Sequence, residues 1–226
     1  MKKYLGLSVL LASLLLLKVL ACGGGTNSIT EVGNPSSGPS GSIAAVTDSV
    51  EGVTSGIVTS HDLNAAFTAE SVSKFNCTHD NTNKTSTCQC ANGGTLVYTF
   101  EKSFGGNGNN LIFDTTYQVA LTQCAFTTCD AAITLNGQYS GSMTGTINLT
   151  DDSGEILINA QTSAACSGVT AGEQIIGFNI QITETNLSVE NISGSLCVDN
   201  QTYSFTSASD LQNQIDPDKT CSNIFH

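Results

Sequence analysis

The chain has 226 residues, of which 39% are hydrophobic and 12% are charged, so it is long enough to form one domain with a hydrophobic core. The segment after Cys22 contains four lysines, no arginine and all 19 acidic residues, which gives it a formal net charge of −15. This charge repels phosphate backbones and anionic headgroups, and without arginine no side chain can clamp a phosphate bidentately. We therefore expect no nucleic-acid partner.

The first 21 residues have the layout of a secretory signal peptide. Lys2 and Lys3 precede an apolar run over residues 5–17, and small residues follow. A helix that spans a bilayer needs about 20 apolar residues, and Lys18 interrupts this run earlier. We expect residues 1–21 to direct export and to be removed.

The sequence Val19-Leu20-Ala21-Cys22 resembles the lipobox of bacterial lipoproteins. The resemblance implies cleavage before Cys22, a diacylglyceryl group on its thiol and usually a third acyl chain on the new amine. Each buried methylene contributes about 0.8 kcal/mol, so two or three chains hold a protein firmly on a membrane. Gly23 rather than Asp follows the cysteine, which in the family's sorting rule implies the outer membrane. The alternative is an ordinary cleaved signal peptide with an incidental cysteine.

A tether and a short helix are predicted next. Residues 22–42 are rich in Gly, Ser, Asn and Pro, which is typical of a flexible linker. A helix over about residues 43–58 is indicated by apolar residues at alternating steps of three and four: Ile43, Val46, Val50, Val53 and Ile57. Gly52 and Gly56 weaken this helix, so we expect it to form only against an apolar surface. The alternative is a longer tether.

From about residue 76 the apolar period changes to two, which predicts successive strands. They are expected around residues 96–100, 117–121, 131–136, 139–149, 155–161, 176–182, 187–196 and 201–206. Turn signals separate them at 105–108, 151–154 and 168–172. Spacings of roughly ten residues favour antiparallel pairing. We predict a mainly β domain over residues 43–226: a curved antiparallel meander sheet or partial barrel with the helix packed on its concave side.

An even number of cysteines in an exported chain predicts disulfides. The eight that follow Cys22 are Cys77, Cys88, Cys90, Cys124, Cys129, Cys166, Cys197 and Cys221. Cys88 and Cys90 would lie on one side of a strand, which favours separate partners. The preferred pairs are Cys77 with Cys88 or Cys90, Cys124 with Cys129, and Cys166 with Cys197, with Cys221 joined to whichever cysteine of the first group is left.

A metal site is the competing interpretation of some of these residues. Cys77-Thr78-His79 and Cys88-Gln89-Cys90 contain three thiols and an imidazole, ligands that suit zinc or copper(I). Using three cysteines would leave five thiols, an odd number, in an oxidising compartment, so disulfides are favoured. Asp151-Asp152 and Asp216-Pro217-Asp218 could offer oxygen ligands to Ca²⁺, but both are typical of turns. We expect neither a metal nor another cofactor.

Common catalytic motifs are absent from the sequence, and the three histidines, His61, His79 and His226, are scattered. We predict no catalytic residue and interpret the chain as an envelope lipoprotein, anchored through lipid, whose domain is a binding or structural module with an unknown protein or apolar partner. The alternative is a carrier of an apolar ligand or lipid. A carrier needs a partly empty concave face, lined by residues such as Tyr98, Phe100, Phe178 and Ile180. A hydrolase would need two carboxylates and a histidine in one cleft.

Overall fold

The computed structural model describes residues 38–61, 76–80, 82–107, 110–128, 131–148, 153–185 and 188–216. The predicted signal peptide, Cys22 and the tether up to residue 37 lie outside these ranges, as do Cys129, Cys221 and His226.

Two helices and ten strands make up the described residues. The helices are α1 (Gly38–His61) and α2 (Ala208–Ile215). The strands are β1 (Asn76–Asp80), β2 (Thr85–Gln89), β3 (Thr95–Asn107), β4 (Asn110–Thr128), β5 (Ala131–Asn148), β6 (Gly154–Gln161), β7 (Val169–Ala171), β8 (Gln174–Thr185), β9 (Ser188–Val198) and β10 (Gln201–Phe205).

All ten strands form one antiparallel sheet, in the order β1-β2-β3-β4-β5-β6-β8-β9-β10. The short strand β7 pairs with both β5 and β8, beside the end of β6. The sheet is a meander that curls partly into a ring, with α1 packed on it. The predicted mainly β fold class is therefore confirmed.

Strand boundaries differ from the prediction at several places. Strands β3 and β4 extend well beyond the expected 96–100 and 117–121, so β3 includes most of the turn signal at 105–108. Residues 131–136 and 139–149 were expected as separate strands, but β5 runs through both because Gly137 adopts a positive φ of 128° and keeps the chain extended. The turn expected at 168–172 contains β7 instead, since its three residues fill the space that β6 leaves free beside β5. Local turn residues alone do not reveal such an insertion.

Helix α1 is buried on nearly every face. Its five spaced apolar residues are at most 1% exposed, and so are Ala45 and Ser49 on other faces. Asp48 and Glu51, near its middle, are half-buried. The helix begins at Gly38, five residues before the predicted start, in the segment expected as tether. Its glycines and β-branched residues disfavour an isolated helix, so enclosure by the sheet stabilises it.

Helix α2 was not predicted. Ser207 is its N-cap, with the Ser207 side chain accepting a hydrogen bond from the Asp210 backbone N–H, while the Asp210 carboxylate accepts one from Thr206 N–H. Leu211 inserts into the core and is fully buried. The Ser-x-x-Asp spacing is a capping signal that could have identified this helix.

Candidate functional site

The concave face of the sheet is filled. Tyr98, Phe100, Phe178 and Ile180, the residues that a ligand cavity would need, are between 1% and 7% exposed. They belong to the same core cluster as the buried residues of α1. A water-sized void beside these four side chains would give them accessible surface, so the concave face next to them is packed.

Hydrogen bonds to three strands hold α1 against the sheet. Ser49 Oγ and Tyr139 Oη are 3.0 Å apart in the core. Near the start of the helix, Thr128 Oγ1 donates to the Gly41 carbonyl at 2.9 Å, and Ser42 Oγ donates to Gln174 Oε1. Because these contacts reach β4, β5 and β8, the helix has one defined position in the described structure.

The buried tyrosines are structural groups rather than acids or bases. Burial raises the pKa of Tyr117 well above its ordinary value, and the nearby Tyr139 raises it further. Burial also raises the pKa of Tyr139, although its bond to Ser49 opposes the shift. Tyr117 Oη donates to the Asn159 carbonyl at 3.1 Å. Both phenols therefore stay protonated at physiological pH.

The Glu51 carboxylate of α1 acts electrostatically on the Glu184 carboxylate of β8. Burial raises the pKa of Glu184, and the negative charge of Glu51 raises it further. His79 lies far along the sheet on β1, where its Nδ1 is 2.7 Å from Ser86 Oγ, and the side chain of His61 lies outside what the structure describes. Within the described residues, no three His, Cys, Asp or Glu side chains are grouped so as to hold a metal.

Three disulfides involve the described residues. Cys77 pairs with Cys88, directly opposite it in the β1–β2 register. Cys166 pairs with Cys197, as predicted. Cys90 pairs with Cys124, so Cys88 and Cys90 have separate partners, also as predicted. All three thiols of the candidate zinc or copper site are therefore oxidised in this structure.

The predicted pairing of Cys124 with Cys129 is wrong. So is the predicted pairing of Cys221 with the remaining cysteine of the first group, because that cysteine, Cys90, pairs with Cys124. Strand β4 stays extended through Thr128, about 13 Å beyond Cys124 at 3.3 Å per residue, which is too far for a disulfide. A bulge at Gln123, whose φ is +52°, and two hydrogen bonds between Ala125 and the turn after Cys90 bring Cys124 to Cys90 instead. Their Cα atoms are 5.4 Å apart.

The two candidate calcium segments are only partly described. Asp151 and Asp152 lie outside the described ranges, as do Pro217 and Asp218. Asp216 is buried and ends α2: its N–H donates to the Gln212 carbonyl, and its Oδ2 accepts from Gln212 Nε2. Asp216 thus acts as a helix cap.

A groove that the sequence analysis did not identify lies across β3, β4 and β5. Its volume is about 480 Å³, and Lys84 and Glu101 are among its lining residues. Exposed Thr99, Thr116 and Gln118 belong to the same lining. Only the strand register places these residues side by side.

Neither helix in the described part of the chain is both long and apolar enough to cross a membrane. In comparisons with known proteins, no family model, no curated protein and no solved structure matches this chain.

Proposed function

We propose that this protein is a membrane-anchored bacterial envelope lipoprotein, tethered through Cys22, whose sheet domain is a binding or structural module. The packed concave face supports a binding or structural module, because α1 occupies the place where a cavity ligand would bind. The lipobox-like Val19-Leu20-Ala21-Cys22 supports the anchor.

The disulfides support an exported location. Such bonds persist in oxidising compartments such as the periplasm or the cell surface, and thiols are kept reduced in the cytosol. The three bonds fasten β1 to β2, the end of β2 to β4, and the β6–β7 connection to β9. A domain braced in this way suits exposure outside the cytoplasmic membrane.

The carrier alternative is less favoured. An apolar ligand could enter the concave face only if α1 left it, which would expose buried valine and isoleucine side chains worth about 1.5–3 kcal/mol each. It would also break the hydrogen bond between Ser49 and Tyr139. A binding surface on the outside of the sheet requires no such rearrangement.

Replacement of the lipidated cysteine tests the anchor. We expect Cys22→Ser to move the protein from the membrane fraction to the soluble fraction or to leave it as unprocessed precursor, because the acylated thiol is gone. Intact-mass measurement of the wild type should give cleavage before Cys22 plus two or three acyl chains. Thr26→Ser, a hydroxyl-conserving change in the tether, is the matched control and should stay in the membrane. A Cys22→Ser protein that is processed and still fractionates with membranes would contradict the proposal.

A further inference from the structure

A row of uncharged polar side chains crosses the convex face of the sheet. The strand register aligns one residue from each of six neighbouring strands, and each of these side chains is exposed or half-buried. Neighbouring strands are about 4.8 Å apart, so the row extends about 24 Å. We call it the polar row: Thr99, Gln118, Ser140, Gln161, Asn179 and Ser195.

The polar row carries no charge, although the chain is strongly acidic. A surface whose only task is solubility is normally rich in charged side chains. On the convex face the nearest carboxylates, such as Glu101 and Asp114, lie in rows closer to one end of the strands. All six positions of the polar row are neutral, whereas the next row towards that end includes Glu101.

The hydrogen-bonding groups of the polar row are available to a ligand. In the adjacent row, Gln181 Nε2 donates to Asn159 Oδ1 and Asn159 Nδ2 donates to Ser142 Oγ. By contrast, none of the six polar-row side chains is hydrogen-bonded to another residue that the structure describes. Amide and hydroxyl groups each donate and accept hydrogen bonds, so the row presents a hydrogen-bond donor and an acceptor on every one of its strands.

A chain connection and a groove lie beside the polar row. Along one side, near β8 and β9, the connection from Thr162 to Gly168 lies over Gly177 and is fixed to β9 by the Cys166–Cys197 disulfide. A side chain at position 177 would collide with the Ala165 carbonyl, so glycine is required for this close approach. The β3, β4 and β5 part of the row, Thr99, Gln118 and Ser140, lines the groove near Lys84. An extended ligand in this groove could continue along the rest of the row.

We propose that the polar row binds a neutral polysaccharide. The hydroxyls of such a polymer donate and accept hydrogen bonds along its length, as the row does, and an uncharged chain is not repelled by the acidic domain. Protein interfaces favour aromatic residues, methionine and arginine, and the row contains none of them. The inference rests on the proposed function in that it names the partner class of the binding module.

Affinity electrophoresis of the mature lipoprotein tests this assignment. The protein, purified from membranes in detergent, is run in native gels that contain dextran, laminarin or galactomannan, and in parallel gels that contain anionic alginate. The test variant is Gln118→Glu/Gln161→Glu/Asn179→Asp, which introduces charge at three exposed positions without changing side-chain size. The matched control, Gln89→Glu/Gln201→Glu/Asn213→Asp, makes the same changes at exposed positions outside the row.

We expect at least one neutral polysaccharide to retard the wild type and the control, and alginate not to retard them. Loss of three hydrogen bonds should weaken binding by the test variant by about tenfold or more. Three results would overturn the proposal: no retardation by any neutral polymer, equal retardation of the test variant, or concentration-dependent self-association that only the test variant loses. Unlipidated Cys22→Ser protein should bind equally well, so a failed anchor and a failed binding site give different results.

Discussion

Two tyrosines that face helix α1 differ in how their hydroxyls are satisfied. Tyr139 Oη shares a hydrogen bond with Ser49. Tyr98 Oη is buried and makes no well-formed hydrogen bond among the described residues; it interacts with Ser86 on the paired strand β2 and lies against Gly56, where any added Cβ would crowd it. A buried hydroxyl without a partner costs free energy, whereas a paired one stabilises the fold.

Removing the two hydroxyls should therefore have different effects. Tyr139→Phe leaves Ser49 Oγ buried and unpaired, so the free energy of unfolding should fall by about 1–3 kcal/mol. Tyr98→Phe removes a hydroxyl whose contact with Ser86 falls short of a well-formed hydrogen bond, so stability should fall much less or not at all. Denaturant titration of both variants checks this. A loss for Tyr98→Phe as large as that for Tyr139→Phe would mean that Tyr98 Oη has a partner.

The carboxyl group of Glu184 should make stability depend on pH. Its pKa is raised in the folded state by burial and by Glu51, so folding favours its protonated form. This contribution is fully present below the unfolded-state pKa, near 4.5, and is lost as the pH rises through the folded-state pKa. Glu184→Gln should therefore raise the melting temperature at pH 7 relative to the wild type.

Thermal melts between pH 4 and pH 8 measure this difference. The advantage of Glu184→Gln should shrink towards pH 4, where the wild-type carboxyl group is protonated. Glu155→Gln, the same change at an exposed position on the neighbouring strand β6, is the matched control. Equal melting curves for Glu184→Gln and the wild type at pH 7 would refute the effect.

At the scale of elements, the two helices are stabilised in different ways: α1 mainly by tertiary packing and α2 more by its local sequence. The glycines and β-branched residues of α1 disfavour a helix, and the surrounding sheet compensates for them. The eight residues of α2 have a local start signal in the Ser207 cap and one buried anchor in Leu211. Local sequence therefore contributes more to α2, and tertiary packing more to α1.

Loss of the α2 cap should have a measurable cost. Ser207→Ala leaves the Asp210 backbone N–H without its acceptor, so we expect a loss of about 1 kcal/mol in the free energy of unfolding. Ser209→Ala, at an exposed position in the same helix, should change stability by less. Urea denaturation of both variants tests this, and equal losses would show that the cap is not the cause.

At the scale of the whole molecule, disulfides join parts of the sheet that are distant in sequence. Cys90 and Cys124 are 34 residues apart, and Cys166 and Cys197 are 31 residues apart. Cross-links of this length restrict the unfolded chain and stabilise a fold by about 2–4 kcal/mol each. The sheet therefore depends on correct oxidation after export.

A thiol count tests the cysteine chemistry of the whole chain. The mature, acylated protein, denatured without reduction, should contain no free thiol, because the eight cysteines after Cys22 are even in number and the compartment is oxidising. Two free thiols would indicate that Cys129 and Cys221 are unpaired. Four or more would contradict at least one of the three disulfides described.

The sequence by itself determined the features that depend on neighbouring residues. The period-two alternation of Ile176, Phe178, Ile180 and Ile182 predicts a half-buried strand, and β8 contains it with all four residues buried. The mainly β class, the meander and a helix at 43–57 followed from similar local patterns. Lipidation of Cys22 follows only from the lipobox and stays a prediction.

Only the tertiary structure decided the features that depend on register. The placement of β7 between β5 and β8, the pairing of Cys90 with Cys124 and the complete burial of α1 each join segments that are distant in sequence. The polar row is likewise invisible in the sequence, since a one-residue slip of any strand would turn its member to the concave face. Many strand pairings satisfy the same local pattern, and long-range packing selects one of them.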